Sequence, residues 1–301
     1  MRTRWFMFTD RIGRLGKALG ACTLALALLT SCGADPSGDA AEATTITEAA
    51  SRSDQMNLEF TLPGTLAAGF QELRAGVRGS FGMAIMPVGG SDRMLTFGDW
   101  TTGPAWSTMK VPLVIAAQRR NPSVSTYSMT AAITSSDNAA ADTLWQGLGS
   151  PQEAAKAIEA VLREGGDSKT AVPATRSRAE HSAFGQAEWS LAEQARFASR
   201  LPCLPESETV LELMAEIVPN HRWGLGAFRS AEFKGGWGPD ASGDYLVRQF
   251  GIIDVPTGKV AIAFAAQPDS GAFSDGMSVL DKMATLVSEH LDELTGGKCR
   301  S

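Results

Sequence analysis

Apolar residues recur with two different periods along this chain, and the changes of period divide it. Leu66, Phe70, Leu73 and Val77 are three to four apart, the spacing of one helix face. Phe81 to Val88 is a nearly unbroken apolar run, Gly89-Gly90-Ser91-Asp92 is a turn signal, and Met94 to Gly98 is a second short run. Together they predict a helix followed by a β-hairpin. Val111 to Ala117 is apolar throughout and follows Ser107-Thr108-Met109-Lys110, which predicts a helix entering a core. Tyr127 to Gly147 predicts two short helices with Ser136-Asp137-Asn138 between them. Ser150-Pro151-Gln152-Glu153 is an N-cap with proline at the first helical position and a capping-box glutamate, and its helix should end at Gly165-Gly166. Residues 166–187 have no period and read as a long loop. Ser190-Leu191-Ala192-Glu193 is a second capping box whose helix runs to about Leu201. Trp223 to Lys234 predicts a strand or hairpin, Tyr245 to Ile253 and Val260 to Ala266 predict strands, and Ser274 to Leu294 a long amphipathic helix. The parts 57–100 and 220–298 would form an antiparallel sheet of about five strands covered by terminal helices. Residues 101–215 would be an inserted helical subdomain.

The beginning of the chain has a different character. Arg2, Arg4, Arg11, Arg14 and Lys17 precede a short apolar stretch, Ala18 to Leu29, and then Leu29-Thr30-Ser31-Cys32. This resembles a bacterial lipoprotein signal, which implies cleavage after residue 31, lipid on Cys32 and an extracytoplasmic domain anchored to the cell membrane. Residues 32–56 are rich in Ala, Ser, Thr, Asp and Glu without an aromatic residue and read as a disordered tether; 57–298 is the domain. Overall, 44% hydrophobic and 20% charged residues describe an ordinary globular chain. Residues 1–31 hold five basic residues and one acid, leaving 22 basic against 32 acidic, a formal charge of −10. Such a surface argues against nucleic acid as a partner. Beyond Cys32 only Cys203 and Cys299 remain, a possible disulfide if the fold brings them together. His181, His221 and His290 lack ligand spacing, so neither a metal site nor a cofactor is expected.

The candidate chemistry starts at Ser107 and Lys110. Three residues apart on a helix, they lie on one face about a turn from each other. A serine hydroxyl is a weak nucleophile that needs a base, and a lysine becomes one when burial lowers its pKa. Two further pieces follow in order, Ser136-Asp137-Asn138 and Lys234-Gly235-Gly236. In this order the chain resembles class A β-lactamases and penicillin-binding proteins, whose signatures are S-x-x-K, S-D-N and K-T-G. The resemblance covers residues 57–298. It implies an α/β sandwich of antiparallel sheet and flanking helices with an all-helical lobe, and an active site in the cleft between the lobes. It also implies roles. Ser107 would be the acylated nucleophile and Lys110 the group that takes its proton. Ser136 would protonate the leaving group, Asn138 would hold the substrate amide and orient Lys110, and Lys234 would supply positive charge. The N–H groups of Ser107 and Trp237, beside Gly236, would form the oxyanion hole.

Three departures modify what the resemblance implies. Gly235 replaces the hydroxyl residue that helps hold a substrate carboxylate in the family; Arg248 and Ser242 are the residues that would have to replace it. No E-x-x-L-N glutamate, the residue that would activate the deacylating water, occurs in 166–187, where Glu180 and Asp167 are the acids. Ser136 follows Ser107 by 29 positions, shorter than in the β-lactamases, so the cleft should be more open and suit a larger substrate. Trp106, Trp145, Trp223 and Trp237 either line it or belong to the core. The expectation is a lipid-anchored serine acyl-enzyme hydrolase or transferase acting on a small-molecule or peptidoglycan-like amide or ester, with little or no β-lactamase activity. Two alternatives stay open: a non-catalytic envelope-binding module, and a true class A-like β-lactamase.

Overall fold

The computed structural model describes residues 64–90, 93–124 and 126–300; the predicted signal segment, Cys32 and the tether lie outside them. Five antiparallel strands form the main sheet: β1 (Gly79–Pro87), β2 (Leu95–Gly98), β5 (Glu232–Pro239), β6 (Tyr245–Val255) and β7 (Gly258–Pro268), in the order β2-β1-β7-β6-β5. A separate two-stranded sheet pairs β3 (Thr102–Pro104) with β4 (Glu188–Ser190). β6 and β7 are buried along nearly their whole length, because helices cover both faces. α8 (Phe273–Glu289) lies on β6 and β7, with α1 (Gly64–Gly76) against it. α6 (Leu191–Arg200) covers β1, β6 and β7 on the other face. Continuous apolar runs in these strands follow from that double coverage.

The helical part holds α2 (Lys110–Arg120), α3 (Thr126–Thr134), α4 (Asn138–Gly147), α5 (Pro151–Glu164) and α7 (Glu208–Ala215). α2 is its axis: Val111 to Ala117 are all buried, and α3, α4, α5 and α7 pack around it. The inserted stretch 101–215 is therefore not one helical lobe, since α6 belongs to the sheet. Its second capping box is also only half made. Ser190 accepts from the Glu193 N–H at 3.1 Å, but the Glu193 carboxylate accepts from the Ser168 N–H instead. A tertiary partner has replaced the local one. At Ser150 both halves form.

Three other boundaries shift. Trp223 to Lys234 contains a 3-10 turn, Gly224–Ala227, before β5 begins at Glu232. The last helix stops at Glu289, with a 3-10 turn over Leu291–Glu293. The loop 166–187 stays irregular except for Phe184–Gln186.

Cys203 and Cys299 are disulfide-bonded with Cα atoms 5.4 Å apart, tying the end of the chain to the region after α6 across 96 positions. Closing a loop of this length restrains the unfolded chain strongly. Cys203→Ser with Cys299→Ser is expected to lower unfolding free energy by about 2–4 kcal/mol. Urea denaturation of the oxidised protein against the double variant measures it.

Candidate active site

Ser107 sits in a 3-10 turn, Trp106–Met109, that runs into α2 at Lys110. Residues three apart eclipse each other in such a turn, so the two side chains are set more nearly in line than on an α-helix. Trp106 enters the turn with φ of 50°, an outlying conformation for a bulky residue. A buried polar chain holds it there. Thr108 Oγ1 donates to Ala105 O (2.5 Å) and accepts from Gln194 Nε2 (3.0 Å), while Arg248 donates to Gln194 Oε1 (2.9 Å). Arg248 is fully buried and also donates to the carbonyls of Gly103 (2.9 Å), Pro104 (3.0 Å) and Trp189 (3.0 Å). Its guanidinium is thus a clamp beneath the nucleophile turn and cannot replace the hydroxyl missing at Gly235. Ser242 cannot either, since it lies in the exposed turn after β5. Thr108 and Gln194 belong to no motif; their only trace in the sequence is a polar residue on an otherwise apolar face.

The S-D-N segment divides its work between local and distant partners. Asp137 is the N-cap of α4 and accepts from the Ala140 N–H at 2.6 Å. Ser136 is held at φ of 59°, a conformation L residues rarely adopt and one that clusters at functional sites. At this position the Ser136 carbonyl and hydroxyl meet Lys110 and Lys234. Lys110 Nζ donates to Ser136 O (2.5 Å) and Asn138 Oδ1 (2.8 Å), with Ser136 Oγ at 3.4 Å. Lys234 Nζ donates to Ser136 Oγ (2.9 Å) and Gly235 O (2.9 Å). Burial lowers the Lys110 pKa to about 7, against an upward pull from Asp137 and Asp142. Burial, with the Lys110 charge beside it, pushes Lys234 well down. A neutral Lys110 amine has two N–H donors, and Ser136 O and Asn138 Oδ1 accept both, so its lone pair remains for a proton.

β5 supplies the other wall. Its register pairs Lys234 with Phe250 and Gly236 with Arg248, so Lys234 and Gly236 share the face toward Ser107. A Cβ on Gly236 would lie 2.9 Å from the Ser107 and Thr108 nitrogens. Gly238 lies under the Trp106 indole, 2.6 Å from where its Cβ would be. Both glycines are needed for this close approach. β5 is an edge strand, and Gly235 O faces the cleft, since Lys234 Nζ reaches it. The N–H and C=O of one residue point to the same side and alternate along a strand, so the Trp237 N–H faces the cleft as well. Beside the Ser107 N–H it forms a pair of donors suited to a developing oxyanion. Gly236→Val is expected to abolish acylation of Ser107, because the added side chain pushes β5 off the nucleophile turn; labelling by a fluorophosphonate measures it.

The remaining candidates separate. Glu180 is exposed and paired with Arg178 and His181; no bond links it to Ser107 or Lys110. Asp167 is buried and accepts from the N–H groups of Lys169 and Thr170. Neither is placed to activate a water at the site, and among the described residues no carboxylate is hydrogen-bonded to Lys110. Trp106 and Trp223 are largely buried, Trp145 packs on Phe184, and Trp237 is half-buried against His221, Trp223 and Phe273. Among the described residues, no group of three or more His, Cys, Asp or Glu could hold a metal ion.

This arrangement of sheet, helices and cleft recurs in solved structures. The TLA-3 extended-spectrum β-lactamase superposes with a TM-score of 0.61 at 15% identity, over 76% of this chain and 99% of that one. The fold is that of the serine β-lactamases and penicillin-binding proteins. A β-lactamase from Xanthomonas campestris gives 0.60 at 17% identity, over 75% and 97% of the two chains. PBP-A gives 0.58 at 18% identity over 76% and 97%, and a variant of it has been solved as an acyl-enzyme complex with penicillin G. No protein-family model and no curated protein matches this sequence. In the β-lactamase-like fold of this chain, the S-x-x-K, S-D-N and K-G-G segments meet in one cleft.

Proposed function

We propose that this chain is a serine acyl-enzyme hydrolase or transferase acting on an amide or ester of the cell envelope, a small molecule or a peptidoglycan-like one, and held at the membrane by lipid on Cys32. The observation that carries the reading is the convergence of Lys110, Ser136, Asn138 and Lys234 in one hydrogen-bonded cluster beside the turn that bears Ser107. A buried lysine pair beside a serine has little use in a merely structural cleft, because burial disfavours the charged form of each amine and the two disfavour each other's charge.

Neutral Lys110 takes the proton of Ser107 Oγ as the oxygen adds to the substrate carbonyl. The oxyanion lies between the Ser107 and Trp237 N–H groups. When the carbon–nitrogen or carbon–oxygen bond breaks, the leaving group receives a proton from Ser136 Oγ, which regains one from Lys110. Lys110 returns to the neutral state, and an acyl ester of Ser107 remains. Water or an acceptor amine then cleaves that ester and restores the serine. With no carboxylate on Lys110, the second half is the slow one, so β-lactam hydrolysis is weak.

That same missing carboxylate favours a second reading, a binding module that keeps the cleft without turnover. Intact mass of the 57–301 domain after incubation with a penicillin and with a fluorophosphonate, beside Ser107→Ala, separates them. A Ser107-dependent adduct supports the enzyme, and persistence of a penicillin adduct supports slow deacylation. No adduct with either reagent sinks the enzymatic reading.

A further inference from the structure

Aromatic rings gather at the face of β5 that turns away from Ser107. Gly235 and Trp237 are on it, and a Cβ on Gly235 would lie 3.2 Å from the Trp223 ring. The Trp223 indole stands where a side chain at position 235 would project. Trp237 is edge-on to Trp223 (6.0 Å between centroids) and packs on Phe273 (5.4 Å), and Tyr245 packs on Phe273 in turn (5.7 Å). His221 closes the group with its ring 5.0 Å from Trp237. His221 feels the charges of Lys234 and Lys110, which puts this end of the group beside the contact between Lys234 and Ser136.

Arg248, Arg178 and Arg222 are each engaged elsewhere. Arg248 faces inward. Arg178 donates to Pro239 O and pairs with Glu180. Arg222 lies over the Phe233 ring and donates to Ala215 O. Burial and the charges of Lys234 and Lys110 lower the His221 pKa, which disfavours a charged ring there. A carboxylate there would lose its hydration and find no guanidinium and no hydroxyl at position 235.

We propose that the leaving-group side of the cleft is a subsite for an uncharged, aryl-like group, so that neutral aromatic esters or amides are preferred over matched molecules with a carboxylate on the leaving group. This rests on the acyl-enzyme reading for its chemistry, but the binding preference stands without turnover. The bond broken is the ester or amide bond, with the proton transfers given above and no further reactant than water.

The first test uses Ser107→Ala, which leaves the aromatic wall intact, labelled with 15N at the tryptophan indoles. It is titrated with acetanilide and with 4-acetamidobenzoate, a matched pair differing by one carboxylate. The expected result is saturable shifts of the Trp223 and Trp237 Nε1–H resonances, with acetanilide at least tenfold the tighter. Equal or tighter binding of the benzoate, or no shift with either, overturns the subsite. The second test is Ser107-dependent hydrolysis of 4-nitrophenyl acetate against 3-carboxy-4-nitrophenyl acetate, each rate referred to its hydroxide reaction. A preference for the neutral ester that falls in Trp237→Ala supports the proposal, and a preference for the carboxylated ester overturns it. Selective binding with no turnover would overturn the enzymatic reading and leave the subsite standing.

Discussion

Lys110→Met removes acylation of Ser107 almost entirely: the rate is expected to fall by about 10²–10⁴-fold, the range for loss of a positioned general base. Methionine matches the length and fills the buried space, so the thermal midpoint should change far less than the rate. The pH profile of the wild-type reaction carries the sign. The working form is the neutral amine, and the Lys110 pKa is about 7. Below that value the amine is protonated and the acylation rate climbs tenfold per pH unit; above it the rate levels. Asp142 raises the Lys110 pKa through its charge, so Asp142→Asn moves the inflection to lower pH. Fluorophosphonate labelling rates, corrected for reagent hydrolysis, measure both. A flat profile from pH 5 to 9 would show that Lys110 is not the base.

Arg248→Met should be the most damaging single change outside the cleft. It strips donors from Gly103 O, Pro104 O, Trp189 O and Gln194 Oε1, all around a fully buried side chain. Each buried acceptor left without a partner costs about 1–3 kcal/mol. The loss of unfolding free energy is expected to exceed about 3 kcal/mol, together with acylation, because the same bonds fix the segment before Ser107. Arg248→Lys keeps a cation but has no planar fork to reach several carbonyls, so it should recover only part of the stability. Chemical denaturation gives the stability loss. Near-wild-type stability in Arg248→Met would show that the clamp is not needed.

Some of this was legible along the chain and some was not. The apolar runs of β6 and β7, the capped start of α5 and the continuous apolar helix behind Lys110 are local patterns, and each is seen where its pattern places it. The half-made cap at Ser190 went the other way, because Ser168 offered Glu193 a partner from another part of the chain. Arg248 shows the same limit. A charge in an apolar strand signals a buried ionic group, but whether it meets substrate or the carbonyls of Gly103 and Trp189 depends on what crosses that strand.

By itself, the order of Ser107-Thr108-Met109-Lys110, Ser136-Asp137-Asn138 and Lys234-Gly235-Gly236 carried a resemblance to class A β-lactamases and penicillin-binding proteins, and that resemblance implied the fold class and named the candidate residues of the cleft. That much is carried by spacing, which is a property of the chain. Only the tertiary structure decided that both donors of a neutral Lys110 face acceptors of the S-D-N segment. Only it showed that Glu180 stays in solvent, and that the absent hydroxyl at Gly235 is matched by the Trp223 ring beside it. Those outcomes depend on distances between segments far apart in sequence, and residue identity does not encode which surfaces will meet.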